Sequence, residues 1–94
     1  MVNSLEYMTL ASIHLLTRKE FMKKRLADPA IVSSRLKALR KEKGLTQIAV
    51  SSLTGISLPA IKQYETGARI PDSVNIYILS NFYKVDVGYI LGKI

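Results

Sequence analysis

The side chains equipped to act on a partner in this chain are amides and cations, not nucleophiles and bases. The solvent-facing positions that follow Ser57 are Leu58, Pro59, Ala60, Lys62 and Gln63. Among them the Gln63 carboxamide can donate and accept together, the pairing that a base edge such as adenine's offers. Leu58, Pro59 and Ala60 can give only apolar contact, for instance to a thymine methyl group. Catalysis has no comparable set of residues. There is no cysteine, which removes disulfides, thiolate metal sites and cysteine nucleophiles, and the single histidine, His14, has no second imidazole with which to hold a metal. Ser51 and Ser52 lack a nearby base, and no paired carboxylates or phosphate loop are present. The expectation is therefore no enzyme, no metal and no cofactor.

Charge narrows the partner. Fourteen Lys and Arg against seven Asp and Glu give +7, which favours a polyanion, either nucleic acid or an acidic membrane surface. At 94 residues the chain is one domain's worth, and its 48% apolar and 22% charged residues are ordinary for a small globular fold of modest stability. The most apolar run, Leu5 to Leu16, carries Glu6 and His14 and falls short of the ~20 residues that span a bilayer. Its basic residues follow it, whereas a secretory signal places them first. A cytoplasmic protein without membrane partners is expected.

Placing those side chains requires a succession of short helices. Asp28-Pro29 divides the chain, giving an N-terminal helical extension over residues 1–30 and a second unit over 31–94. Asn3-x-x-Glu6 and Thr17-x-x-Glu20 fit capping boxes and predict helices over about 4–16 and 18–27. The first is apolar all around, so it is expected to pack on more than one side, as a dimerisation or partner-binding element.

In the second unit Ser33 or Ser34 is expected to cap a helix. Leu36 and Leu39 would face its core, Arg35, Lys37, Arg40, Lys41 and Lys43 would face water, and Gly44 would stop it. Thr46 caps the next helix, to about Leu53. Gly55 ends that one and Ser57 caps a third, with Pro59 in its first turn and Ile61 and Tyr64 inward. Asp72 or Ser73 opens a fourth with Ile76, Leu79, Phe82 and Tyr83, and Asp86 opens a last one with Ile90, ended by Gly92. Leu53, Ile61, Ile76, Leu79 and Ile90 are the expected core, with Tyr64, Tyr83 and Phe82 packed beside them. Two short helices joined by a tight turn at Gly55 are the geometry of a helix-turn-helix.

The spacing of Arg35-Leu-Lys-x-Leu-Arg, Gly44-Leu-Thr-Gln47, Gly55-Ile-Ser57, Ile61, Tyr64-Glu65-x-Gly67-x-Arg69-x-Pro71 and Val85-Asp-Val-x-Tyr-Ile-Leu-Gly92 resembles the Cro and phage-repressor helix-turn-helix family over about residues 33–93. The resemblance implies an all-α, five-helix lambda-repressor-like DNA-binding domain. It also implies that the helix over 57–66 enters the major groove and that Gln47 and Arg69 reach phosphates of double-stranded DNA. Family members commonly carry polar side chains where this chain has Leu58 and Pro59, which leaves less direct readout there. Glu65 would be repelled by DNA and is expected to pair within the domain. Arg35, Arg40 and Lys43 can add phosphate contacts, although a charge run on a helix is usually a solvated face.

The function implied is a sequence-specific transcriptional regulator, a repressor that binds a palindromic operator as a homodimer. The alternative is an antitoxin-like or anti-regulator module whose residues 1–30 bind another protein. A basic membrane-surface protein built on Phe21 to Leu26 would leave the whole 47–71 pattern unexplained.

Overall fold

The computed structural model describes residues 27–94 of the chain. The helices expected over 4–16 and 18–27, His14 and the basic stretch at Phe21 to Leu26 lie outside the described residues. Five helices and no strand form among those described: α1 Pro29–Glu42, α2 Gln47–Thr54, α3 Leu58–Thr66, α4 Ser73–Tyr83 and α5 Val87–Leu91.

Each helix starts where a short polar side chain satisfies an otherwise orphaned backbone N–H. Thr46 accepts from the amide of Ala49 at 3.0 Å, Ser57 from Ala60 at 3.3 Å, Asp72 from Asn75 at 2.8 Å and Asp86 from Gly88 at 2.6 Å. These four starts fall where the sequence placed them. The first helix does not. It begins at Pro29, capped by Asp28, whose carboxylate accepts from the Ala30 amide at 2.9 Å. Proline in the first turn removes a donor that had no partner to lose, so the residue read as a divider is the helix's first. Ser33 and Ser34 are not caps. Their hydroxyls donate back within α1, to the carbonyls of Ala30 and Ile31.

Four of the five helices end on left-handed residues, and α1 ends on right-handed Lys43 with left-handed Gly44 just after it. Gly55, at φ 78°, closes α2 and donates to the Ser51 carbonyl at 2.9 Å. Ser51 in turn donates from its hydroxyl to the Ile56 carbonyl at 2.6 Å, so this small residue fastens the turn from the α2 side. A Cβ on Gly55 would meet nothing within 4 Å, so the requirement for glycine there is the backbone conformation alone.

Packing follows from which residues face inward. On α1 they are Val32, Leu36 and Leu39, spaced four and three apart, and they lie against α3 and α5. α2 packs on α3 and α4, and α4 on α5. Ile61 and Tyr64 of α3, Ile76, Leu79 and Tyr83 of α4 and Ile90 of α5 complete the core with Val50 and Ile56. Phe82 is partly buried and meets Tyr83 edge-on, with ring centroids 5.0 Å apart.

Leu53 departs from the expected core: it is 64% exposed. It lies in the last turn of α2, just before the chain reverses at Gly55. Val50, one turn earlier, and Ile56, just past the reversal, occupy the buried positions instead.

Candidate nucleic-acid interface

The α2–Gly55–α3 unit is held from beneath by one ionic cluster. Arg40 of α1 donates from Nε to both carboxylate oxygens of Glu65 in α3, at 3.0 and 2.9 Å, and from Nη1 to the Leu45 carbonyl at 2.9 Å. Gln47, at the first position of α2, donates from Nε2 to the same carboxylate at 3.2 Å. The two charged side chains are 12% and 5% exposed. Glu65 raises the Arg40 pKa above its ordinary value, and this outweighs burial, which pulls it down. Three helices are thereby joined through a single carboxylate.

This corrects one sequence reading and fills in another. Glu65 does pair within the domain, as expected. Arg40 does not face water: it stands four residues after the buried Leu36, and that helical spacing carries it to the inward face. The periodicity holds this signal, which the general rule that a basic run is a solvated face overrides. Arg35 leaves the solvated set too. Its guanidinium donates to the carbonyls of Tyr89 and Ile94 and lies 4.3 Å from the centroid of the Tyr89 ring, fastening α1 to the end of α5.

Tyr83 borders the same cluster and shares a small pocket with Leu36, Ile61, Tyr64, Glu65 and Leu79. Burial, and secondarily the Glu65 carboxylate, push its phenol up to about 12, against the opposing effect of Arg40. The folded chain then keeps a proton that the unfolded chain loses from about pH 10, so stability falls as pH rises between about 10 and 12. Tyr83 is expected to account for no more than about 2 kcal/mol of that fall. Urea titrations of the wild type and Tyr83→Phe across this range should therefore show a flatter alkaline limb in the variant, and identical limbs would refute the assignment.

The outer side of α3 carries the expected site residues. Ile61 and Tyr64 are buried, 2% and 1% exposed, and Tyr64 is fixed by a hydrogen bond from Asn75 Nδ2 to its hydroxyl at 2.8 Å. Ser57, Pro59, Lys62 and Arg69 are exposed, and Leu58, Ala60 and Gln63 are half-buried. Arg69 and Gln63 are brought together: Nη1 of Arg69 donates to Oε1 of Gln63 at 3.2 Å, and the Arg69 amide donates to the Gln63 carbonyl at 3.3 Å. Gln47 is separate from that pair, since its side-chain nitrogen is turned to Glu65. Its backbone N–H is one of the first-turn amides of α2, which have no partner inside the helix.

An exposed helix following a tight turn, with its inner face locked into a five-helix core, is the arrangement that comparison with known families also finds. A helix-turn-helix family model matches residues 36–90, more than half of the chain. The chain belongs to this helix-turn-helix family. The match spans all of α2, α3 and α4, the second half of α1 and most of α5.

Two relatives of the family member come from Bacillus subtilis (strain 168). An uncharacterised HTH-type transcriptional regulator, YqaE, is 41% identical over 59 residues, covering 63% of this chain and 51% of the relative. The HTH-type transcriptional regulator ImmR is 36% identical over 62 residues, covering 66% of this chain and 49% of the relative. The chain thus spans about half the length of the curated relatives it matches. No solved structure matches. Among the described residues no helix is long and apolar enough to cross a membrane.

Proposed function

We propose that this chain is a sequence-specific DNA-binding transcriptional regulator of the cytoplasm that presents α3 to the major groove. The observation that carries the reading is the two-sided character of α3. Ile61 and Tyr64 are locked inward while Lys62, Gln63 and the neighbouring Arg69 stand on the accessible side. Such a helix can enter the groove without losing its own packing. The net charge of +7 supplies the sequence-independent attraction to the phosphate backbone.

Ser57, Leu58, Pro59, Ala60, Lys62 and Gln63 are the groove-facing set in this reading. Arg69 and the backbone N–H of Gln47 contact flanking phosphates. The chain acts as a repressor and binds a palindromic operator as a homodimer with half-sites about one helical turn apart. One helix-turn-helix unit has too small a footprint to single out a genomic site, and two-fold symmetry doubles it. Residues 1–30 supply the self-association or, in the alternative reading, bind a different protein.

Selection of a random duplex library by the whole chain at ~150 mM salt, where non-specific binding is weakened, tests this. An inverted repeat is expected. Gln63→Ala should weaken binding to the selected duplex by about 1–3 kcal/mol and relax preference at one base position. Equal loss on every duplex would remove Gln63 from the reading set, and a library without any enriched site would defeat the regulator reading.

A further inference from the structure

We infer that Arg69 is a positioning residue for Gln63, and that it orients the Gln63 carboxamide to read a G·C base pair in preference to A·T. The inference rests on the DNA-binding reading above and goes beyond it to the base that α3 selects. Its basis is the contact of Arg69 Nη1 with Gln63 Oε1 at 3.2 Å, backed by the second bond from the Arg69 amide to the Gln63 carbonyl at 3.3 Å. The main-chain bond holds the segment after Gly67 against the end of α3, so the two side chains meet by the path of the backbone.

The chemistry of the pair fixes which end of the amide is which. A guanidinium has five N–H donors and no acceptor, so the atom of Gln63 that faces it must be the oxygen. The oxygen and nitrogen of a free glutamine can exchange places by a half-turn of the amide, but that turn would here set two donors against each other. Gln63 therefore presents its Nε2 hydrogens as its unengaged polar group.

Base edges in the major groove respond differently to such a group. Adenine offers N7 as an acceptor and the N6 amino group as a donor, so a bidentate grip needs the glutamine oxygen as well as its nitrogen. That oxygen already carries a cationic donor, and the positive N6–H of adenine would approach a guanidinium. Guanine offers N7 and O6, both acceptors, which match the Nε2 hydrogens directly. Arg69 keeps four further N–H donors for a phosphate, so a single side chain can link backbone contact to base readout.

The test uses the whole chain in four forms: wild type, Gln63→Ala, Arg69→Ala and Arg69→Lys. Random-duplex selection at ~150 mM salt identifies the position read by Gln63 as the one that loses preference in Gln63→Ala. At that position the wild type should enrich G·C. Arg69→Ala should shift the ratio of G·C to A·T towards A·T by about fivefold, the effect of one modest hydrogen bond. Arg69→Lys retains a cationic donor for the Gln63 oxygen and should keep the wild-type ratio, whereas a change in charge alone would alter affinity on all duplexes and leave the ratio unmoved in either variant. Arg69 is exposed, so matching thermal unfolding of the variants is expected to show that the fold is intact.

Enrichment of A·T at this position by the wild type overturns the inference. So does an Arg69→Ala variant that weakens binding equally on all duplexes with its base preference unchanged, which would make Arg69 a phosphate contact alone and leave the regulator reading standing. A wild type that enriches no site at all overturns both.

Discussion

Replacing Glu65 with leucine is expected to destabilise the chain by about 3–5 kcal/mol, because it leaves the Arg40 guanidinium buried without its counter-charge. Arg40 loses both bonds from Nε and Gln47 loses its side-chain acceptor, while only the bond to the Leu45 carbonyl survives. A side chain 12% exposed has little water to turn to. The double variant Arg40→Met with Glu65→Leu should recover most of the loss, since an apolar pair of similar volume incurs no desolvation cost for charge. Urea denaturation followed by helical circular dichroism separates these outcomes. A single-variant loss below about 1 kcal/mol would place the pair with ordinary surface salt bridges.

That cluster also marks where the sequence was legible and where it was not. Local chemistry is legible at four of the five helix starts and at the glycine stops. Thr46, Ser57, Asp72 and Asp86 accept from amides two or three residues on, and Gly55, Gly67 and Gly92 take the left-handed conformation at the stops. Asp28 and Pro29 are ambiguous in sequence because a proline signals both the end of one segment and the first turn of the next. Distinguishing the two needs the partner of the Ala30 amide, which only the folded chain reveals. Leu53 was misread because helical spacing puts it near the inward face. Its exposure is decided by Ile56, which reaches the core after the reversal at Gly55.

The candidate site was legible as a set of residues and not as a set of contacts. The outward placement of Lys62 and Arg69 follows from the burial of Ile61 and Tyr64 and from the loop after Gly67. The pairing of Arg69 with Gln63, and the turn of the Gln47 side chain towards Glu65, depend on groups brought together from six and eighteen residues apart. No spacing rule links those positions. Donor-only and acceptor-only groups sort themselves in three dimensions, and the sequence supplies merely the inventory.

Because inward and outward residues alternate along α3, positioning and reading can be separated by neighbouring substitutions. Ile61→Ala removes a side chain that is 2% exposed and that borders the pocket shared with Leu36, Tyr64, Leu79 and Tyr83. The truncation enlarges a space that already exists, and the expected loss of stability is about 2–5 kcal/mol. Lys62→Ala, one residue on and exposed, should change stability by no more than about 0.5 kcal/mol. Its effect falls instead on the salt dependence of duplex binding, whose slope should flatten by about one unit. For Ile61→Ala the slope measured on the folded fraction should stay at the wild-type value, with binding lost only in proportion to unfolding. Were Lys62→Ala to leave the slope unchanged, the Lys62 ammonium would displace no counterion in the groove, and α3 would have to lie there with Gln63 and Arg69 leading and Lys62 turned away.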